Sequence, residues 1–301
     1  MSAVAELVGH FEPGSQEWHA ARAEGLGGSE IAAVLGLSPF ESRFSLWHRK
    51  AGLAGAVEET EQMRAGKYFE DGIAAWFADE HPELQVRRMG TWRNRERPWQ
   101  IANPDRSAKG PEGYEVVEIK NVYDADGWGE PGTDEVPVYY RAQVLWYLDV
   151  LGLSRARIAI AIAGCKFREY VVPYSADEAA ILRREAVEFL RTIRERERPS
   201  IDEHTETYQV IREMHPDIDP AQVEISRQLA WQFRTAHEAY SAAKAEKQAA
   251  TSAVADAMGT ARRAFCDGEQ IAMRQARNGG TPFVVATKPK PTTTRIEDAA
   301  A

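Results

Sequence analysis

Residues 103–122 read NPDRSAKGPEGYEVVEIKNV, and the rest of the chain is organised around what this stretch must form. Its second half, YEVVEIKNV, carries the β-branched residues and apolar alternation of a strand over 114–122. Successive side chains leave a strand on opposite faces. Val116, Glu118 and Lys120 therefore share one side, and Glu115, Val117 and Ile119 share the other. Asp105 lies thirteen residues before Glu118, behind Asn103-Pro104, at the end of the preceding strand. A turn at 109–113 folds the two segments antiparallel and sets Asp105 beside Glu118. Two carboxylates so close repel unless a cation binds them. Carboxylate oxygens, a backbone carbonyl and waters suit Mg²⁺ or Mn²⁺. A cation there acidifies water beside Lys120 and makes it a nucleophile for a phosphodiester.

Three further features point to the same place. In the helix expected over 63–80, Glu70 falls inside the apolar stripe of Phe69, Ile73, Trp76 and Phe77. A carboxylate on that face needs a partner, and a metal ion is one. Gln143 and Tyr147 sit four apart in a helix expected over 137–151, so they share a face from which both reach a phosphate or a water. Gly27 and Gly28 precede Ser29 at the start of a short helix, EIAAVLG. Bare backbone N–H groups at Gly28 and Ser29 favour a phosphate, and Arg22 can grip it with two parallel hydrogen bonds.

Around these features the chain alternates helix and strand signals. A second short helix is expected over 44–51, and strands over 88–93 and 99–103 form a hairpin around 94–98. RIAIAIAG and FREYVVPY read as two more strands. Ser175-Ala176-Asp177-Glu178 opens a charged helix that runs to Arg198, before Pro199. Residues 200–220 read as polar and irregular. Asp219-Pro220-Ala221-Gln222 then starts an alanine-rich helix of about 35 residues, as its cap and first-turn proline imply. Val223, Ala230, Phe233, Tyr240, Ala243, Ala250 and Val254 give that helix a heptad-like face suited to another helix. Asp267-Gly268 marks a hairpin. The expected division is a core over 1–200, a helical and hairpin appendage over 201–285, and a disordered tail over 286–301.

Bulk properties narrow the class. With 301 residues and 44% hydrophobic content, the chain can bury one substantial core plus an appendage, or form two small domains. It contains no apolar run of about 18 residues, so no membrane span is expected. The opening residues, MSAVAELVGHFEPG, lack a secretory pattern, and a cytoplasmic location in a bacterial or phage-infected cell is expected. Cys165 and Cys266 are far apart and outside any CxxC spacing, which predicts reduced thiols in packing roles. Net charge is −9, yet residues 84–110 carry seven basic side chains against Glu96 and Asp105, a local surplus of +5 next to the candidate site.

Taken together, EWHAARAEGLGGSEIAAVLGLSPF, GKYFEDGIAAWF, NPD, VEIK and WGEPGTDEVPVYYRAQVLWYLDVLG resemble the YqaJ-type viral recombinase nucleases, relatives of phage lambda exonuclease, over residues 15–172. The resemblance implies an α/β (α+β) fold of the PD-(D/E)xK restriction-endonuclease-like type, with a central mixed sheet flanked by helices. It implies a 5′→3′ exonuclease on linear double-stranded DNA in phage-type homologous recombination. The cofactor it implies is Mg²⁺, replaceable by Mn²⁺, at two ions per site. A single-strand annealing protein is the implied partner, and a ring-shaped trimer the implied assembly. Residue by residue, Asp105, Glu118 and the Ile119 carbonyl look like metal ligands, with Glu70 in support. Lys120 looks like the residue that activates or orients water, and Gln143 matches the motif glutamine with Tyr147 beside it. Arg22 and Ser29 match the pair that holds the 5′-phosphate. Two departures stand out: Arg106 follows Asp105 where many relatives have glycine, and the segment beyond residue 200 has no assignable counterpart.

Two other readings compete. One keeps the fold and changes the specificity, to an endonuclease or RecB-like nuclease; the Arg22–Ser29 pair speaks for DNA ends instead. The other is a non-catalytic DNA-binding recombination scaffold, which has no physical need for the full set of Glu70, Asp105, Glu118 and Lys120.

Overall fold

A computed structural model describes residues 4–12, 14–23, 25–57, 59–277 and 279–287. The chain divides into two compact units, the first running through Pro216 and the second beginning at Asp217.

In chain order the first unit contains β1 (Ala5–Gly9), α1 (Gln16–Ala23), β2 (Leu26–Gly27), α2 (Gly28–Val34), α3 (Arg43–Lys50) and α4 (Glu61–Glu80). It continues with β3 (Gln85–Arg88), β4 (Thr91–Asn94), β5 (Gln100–Ala102), β6 (Arg106–Gly110), β7 (Gly113–Val122) and α5 (Val138–Leu151). It ends with β8 (Arg155–Ile162), β9 (Lys166–Pro173), α6 (Ala176–Arg194) and α7 (Thr205–Met214). The expected strand over 114–122 is thus β7, the middle of a five-stranded sheet ordered β3-β6-β7-β8-β9. β7 runs antiparallel to β6 and parallel to β8, so the sheet is mixed. A parallel neighbour requires a long crossover, and α5 supplies it.

Alternation along β7 and β8 separates two apolar layers. Val116, Ile158 and Ile160 face α5, which brings Val144 and Leu148. Val117, Ile119, Ala159 and Ala161 face α4, which brings Ile73, Ala74 and Phe77. Each fully buried Ile or Phe in these layers contributes about 1.5–3 kcal/mol. α5 lies among α2, α6 and both neighbouring sheets, which explains why nearly its whole length is buried. Pro137 stands at its N-cap, and Gly152 closes it in the left-handed conformation at φ 64°. Its buried charges are paired: Arg141 with Glu178 at 2.7 Å, and Asp149 with Arg183 at 2.5 Å. This arrangement is the α/β core with a mixed sheet and flanking helices that the PD-(D/E)xK class predicts.

A second sheet, ordered β1-β4-β5-β2, holds the expected hairpin as the antiparallel pair β4–β5. β1, which the sequence reading did not anticipate, pairs with β4.

Several expectations change. The stretch beyond Pro199 is not irregular throughout: α7 buries Thr207 and Val210, and the Thr207 hydroxyl donates to Ser42 Oγ at 2.7 Å, so this segment packs on α3 and the first unit extends to Pro216. Phe69 is exposed, because the buried stripe of α4 begins only at Ile73. Both cysteines are exposed instead of packed. Five of the seven cations between residues 84 and 110 meet acids from elsewhere: Arg88 meets Asp71, Arg93 and Arg95 meet Glu6, Arg97 meets Asp149, and Arg106 meets Glu70 and Asp71. The local basic surplus is largely neutralised in the fold.

The second unit contains α8 (Arg227–Met258), β10 (Arg263–Cys266), β11 (Glu269–Gln275) and β12 (Phe283–Ala286). Its helix starts at the Ser226 cap and not at Asp219, whose carboxylate instead accepts from Ala221 N–H at 2.7 Å in a local turn. The face of α8 expected to meet another helix is exposed at Phe233 and Tyr240. Asp267 and Gly268 take φ values of 48° and 84° and join β10 to β11 as the turn signal predicted. β12 adds a third strand that was not expected. The tail expected over 286–301 falls outside the described residues from 288 onward.

Candidate active site

The register of β6 on β7 pairs Arg106 with Val117. One step further sets Asp105 opposite Glu118, on the face of the sheet that α5 covers; directly opposed Cβ atoms lie about 5 Å apart. Asp105 is fixed by its own partner strand: its Oδ2 accepts from the Ile119 backbone N–H at 2.8 Å. Burial raises the Asp105 pKa well above the ordinary carboxylate value, Glu118 and Glu70 push it further, and Lys120 and the Ile119 N–H oppose them.

Glu118 is 1% exposed. One of its oxygens, Oε1, accepts from Lys120 Nζ at 2.5 Å and from Gln143 Nε2 at 2.6 Å. The other, Oε2, is buried without a hydrogen-bond partner. Lys120 also lies over the Tyr140 ring, 5.2 Å from its centroid. Burial alone would depress the Lys120 pKa, but the carboxylates of Glu118 and Asp105 outweigh it and hold the ammonium above its ordinary range. Asp105, Glu118 and Lys120 thus occupy one cluster.

Gln143 and Tyr147 join this cluster as expected. Gln143 Nε2 also donates to the Tyr147 hydroxyl at 2.9 Å. Burial, with Glu118 and Asp105 nearby, raises the Tyr147 pKa. The Tyr147 ring reaches the start of α2, where Gly28 is so close that a Cβ there would stand 2.9 Å from ring atom Cδ1 and 3.0 Å from the Gln143 carbonyl oxygen. Only glycine fits that approach. From there the chain leads to Ser29, whose hydroxyl accepts from Arg22 Nη2 at 2.9 Å. Arg22 stacks on the Trp18 ring, 4.4 Å from its centroid. Arg22 and Ser29 are therefore adjacent, and Gly28 links their loop to Tyr147.

One site expectation needs adjustment. Glu70 comes from α4, on the opposite layer of the sheet, and its Oε1 accepts from Arg106 Nη1 at 2.7 Å. Among the described residues no three acidic, His or Cys side chains form a metal-sized group, although the Glu70 charge still acts on Asp105. The Gly27 N–H, one residue before the amides expected to face an anion, donates to Glu30 Oε2 at 2.7 Å.

Glu30 and Lys50 were missed in the sequence. Lys50 Nζ stands 3.0 Å from Glu30 Oε1, and Arg22 Nη2 stands 3.4 Å from the same oxygen. Burial raises the Glu30 pKa, but Arg22, Lys50 and the Gly27 N–H prevail and hold it below its ordinary value. The spacing of Gly27 and Glu30 at a helix start was a readable capping signal, whereas nothing local announced Lys50. Tyr140 was missed as well, since its role depends on packing under Lys120.

The donor set fits a divalent cation. Two adjacent carboxylates, one with a buried oxygen lacking any partner, form a hard-oxygen site whose electrostatic strain a cation relieves.

Residues 17–154 match the family model described as the YqaJ-like viral recombinase domain. The uncharacterized protein YqaJ of Bacillus subtilis (strain 168) is 30% identical over 164 residues, 54% of this chain and 50% of that protein. The chain thus spans about half the length of the curated relative it matches. Among solved structures, an alkaline exonuclease (LHK-Exo) from Laribacter hongkongensis is 17% identical with a TM-score of 0.48, covering 60% of this chain and 94% of that one. Its complex with dAMP gives 16% identity and a TM-score of 0.49 over the same shares. A phage related exonuclease from Haemophilus somnus 129PT gives 11% and 0.41, covering 63% of this chain and 96% of that one. Every residue of the cluster, with Arg22 and Ser29, lies within the matched segment, and over residues 17–154 the chain is similar to the YqaJ-like viral recombinase domain.

Proposed function

We propose that the protein is a divalent-cation-dependent exonuclease that degrades one strand of linear double-stranded DNA from its 5′ end. The observation that carries this reading is the convergence of Asp105, Glu118 and Lys120, with Glu118 Oε2 buried and unpartnered. A binding-only surface has no use for so strained a group in its core.

In this reading Asp105 and Glu118 hold the cation, with the Ile119 carbonyl completing the set. When bound, the ion supplies Lewis acidity to the scissile phosphate and to water, and Mg²⁺ or Mn²⁺ suits these oxygens. Lys120 directs its ammonium toward the attacking water and the phosphoryl oxygens, where negative charge grows. Gln143 fixes the Glu118 carboxylate from the side of α5, and Tyr147 in turn fixes Gln143. Arg22 and Ser29 receive the terminal 5′-phosphate; Trp18 supports the guanidinium from below. The likeness to the viral recombinase domain supports action in phage-type recombination, beside a protein that anneals the exposed strand.

The test is digestion of duplexes labelled at either end, with and without a 5′-phosphate, in Mg²⁺ and in EDTA. The expected result is cation-dependent loss of the strand that bears the 5′-phosphate. Cleavage of closed circular DNA would favour an endonuclease, and binding without hydrolysis in both Mg²⁺ and Mn²⁺ would favour a scaffold.

A further inference from the structure

Arg106 is a buried cation beside the site for which the proposed chemistry has no use. It follows Asp105 directly, so strand alternation turns it to the other face of the sheet, toward α4. Its side chain is 6% exposed. Nη1 donates to Glu70 Oε1 and to the Asp105 backbone carbonyl, both at 2.7 Å, and Nη2 donates to Asp71 Oδ1 at 2.6 Å. The guanidinium therefore holds Glu70 and Asp71 of α4 in a single fork, and its planar geometry makes those bonds directional.

We propose that Arg106 is a built-in cation that takes Glu70 out of the ligand set, so that the centre holds one divalent ion, on Asp105 and Glu118, and not two. The inference rests on the reading of Asp105 and Glu118 as cation ligands. Its logic is charge balance. Three carboxylates around one point invite two divalent ions, whereas two carboxylates beside an arginine-paired third invite one. Arg106 is then a positioning residue: it sets the number of ions and touches neither substrate nor ion.

Mn²⁺ titration of the full-length protein, with free Mn²⁺ counted by electron paramagnetic resonance, tests this without reference to activity. The wild type should bind one Mn²⁺ per chain. Glu70→Gln should leave that count unchanged and the dissociation constant within about twofold, since a carboxylate bonded to Arg106 is not a ligand. Asp105→Asn should weaken binding by at least about tenfold. Arg106→Met, which keeps the apolar stem, should admit a second ion, and that ion should vanish again in Arg106→Met/Glu70→Gln. Two ions on the wild type, falling to one in Glu70→Gln, would overturn the single-ion inference and leave the proposed nuclease intact. No Mn²⁺ on the wild type at all would overturn both. The wild-type count and Glu70→Gln decide the matter even if Arg106→Met fails to fold.

Discussion

Gly28→Ala probes the path from Arg22 and Ser29 to the cluster. The new methyl carbon would stand 2.9 Å from Tyr147 Cδ1, nearer still to Cε1, and 3.0 Å from the Gln143 carbonyl oxygen. Ordinary carbon contacts lie at about 3.5–4.0 Å, so the ring must retreat by about 1 Å. Tyr147 cannot do so alone, because its hydroxyl accepts from Gln143 Nε2, and the same nitrogen donates to Glu118 Oε1 at 2.6 Å. Overpacking of this kind costs about 1–3 kcal/mol, which for a unit of this size lowers Tm by about 3–10 °C. A displacement near 1 Å at a catalytic carboxylate costs about a hundredfold in rate. Single-turnover hydrolysis of a 5′-phosphorylated duplex, read beside a melting curve, measures both. Tyr147→Leu in the same chain removes the clash and should restore most of the Tm but not the rate, because Gln143 then lacks its hydroxyl partner. Should Gly28→Ala melt lower yet turn over at the wild-type rate, α2 has simply moved away from α5 and the mechanical link described here is wrong.

Lys120→Met should cost about 3 kcal/mol without divalent ions, since it strips a buried carboxylate of its cation; melting in EDTA should show the deficit and added Mn²⁺ should shrink it. Asp105→Asn should abolish hydrolysis yet raise stability in EDTA. A carboxylate whose folded pKa is raised lends full stability only below its ordinary value and loses it as pH rises through the raised one, whereas asparagine keeps it. The gain, about 1–2 kcal/mol, should widen from pH 5 to pH 8, and a gain independent of pH would contradict it. Glu30→Gln works in the opposite sense. The folded pKa of Glu30 is lowered, so its contribution is present above the ordinary value near 4.5 and lost as pH falls through the depressed one. The variant should be less stable at pH 7 by about 2 kcal/mol and converge on the wild type in acid denaturation. Finally, native protein should react with two equivalents of a thiol reagent at Cys165 and Cys266 without unfolding.

The acidic pair was legible because its geometry is local. Strand alternation and one short turn are enough to bring Asp105 opposite Glu118, and both can be read from twenty consecutive residues. The Gln143–Tyr147 pair was legible for the same reason, through helical spacing. The capture of Glu70 by Arg106 was not, because it joins α4 to β6 across 36 residues and depends on how a helix packs on a sheet. The arginines before the site misled for a related cause: a sequence window sees their neighbours but not Glu6 or Asp149. α7 escaped notice because its apolar contribution to the core is small, and its anchor is a threonine hydroxyl bonded to Ser42. The start of α8 shifted because Asp219 spends its carboxylate on a local turn, leaving the cap to Ser226, whose Oγ accepts from Leu229 N–H at 3.1 Å.

β7 is hydrogen-bonded along both edges, to β6 and to β8, whereas β2, the strand that leads into Ser29, has two residues and a single neighbouring strand. Amide protons of Glu118 to Lys120 can meet solvent only when the whole sheet opens, while those near Ser29 need a local fluctuation. On the function proposed above, warming the protein should therefore release its hold on DNA termini well before it disturbs the chemistry. A heat-stressed molecule would then keep a competent centre that has lost its sense of where a strand begins.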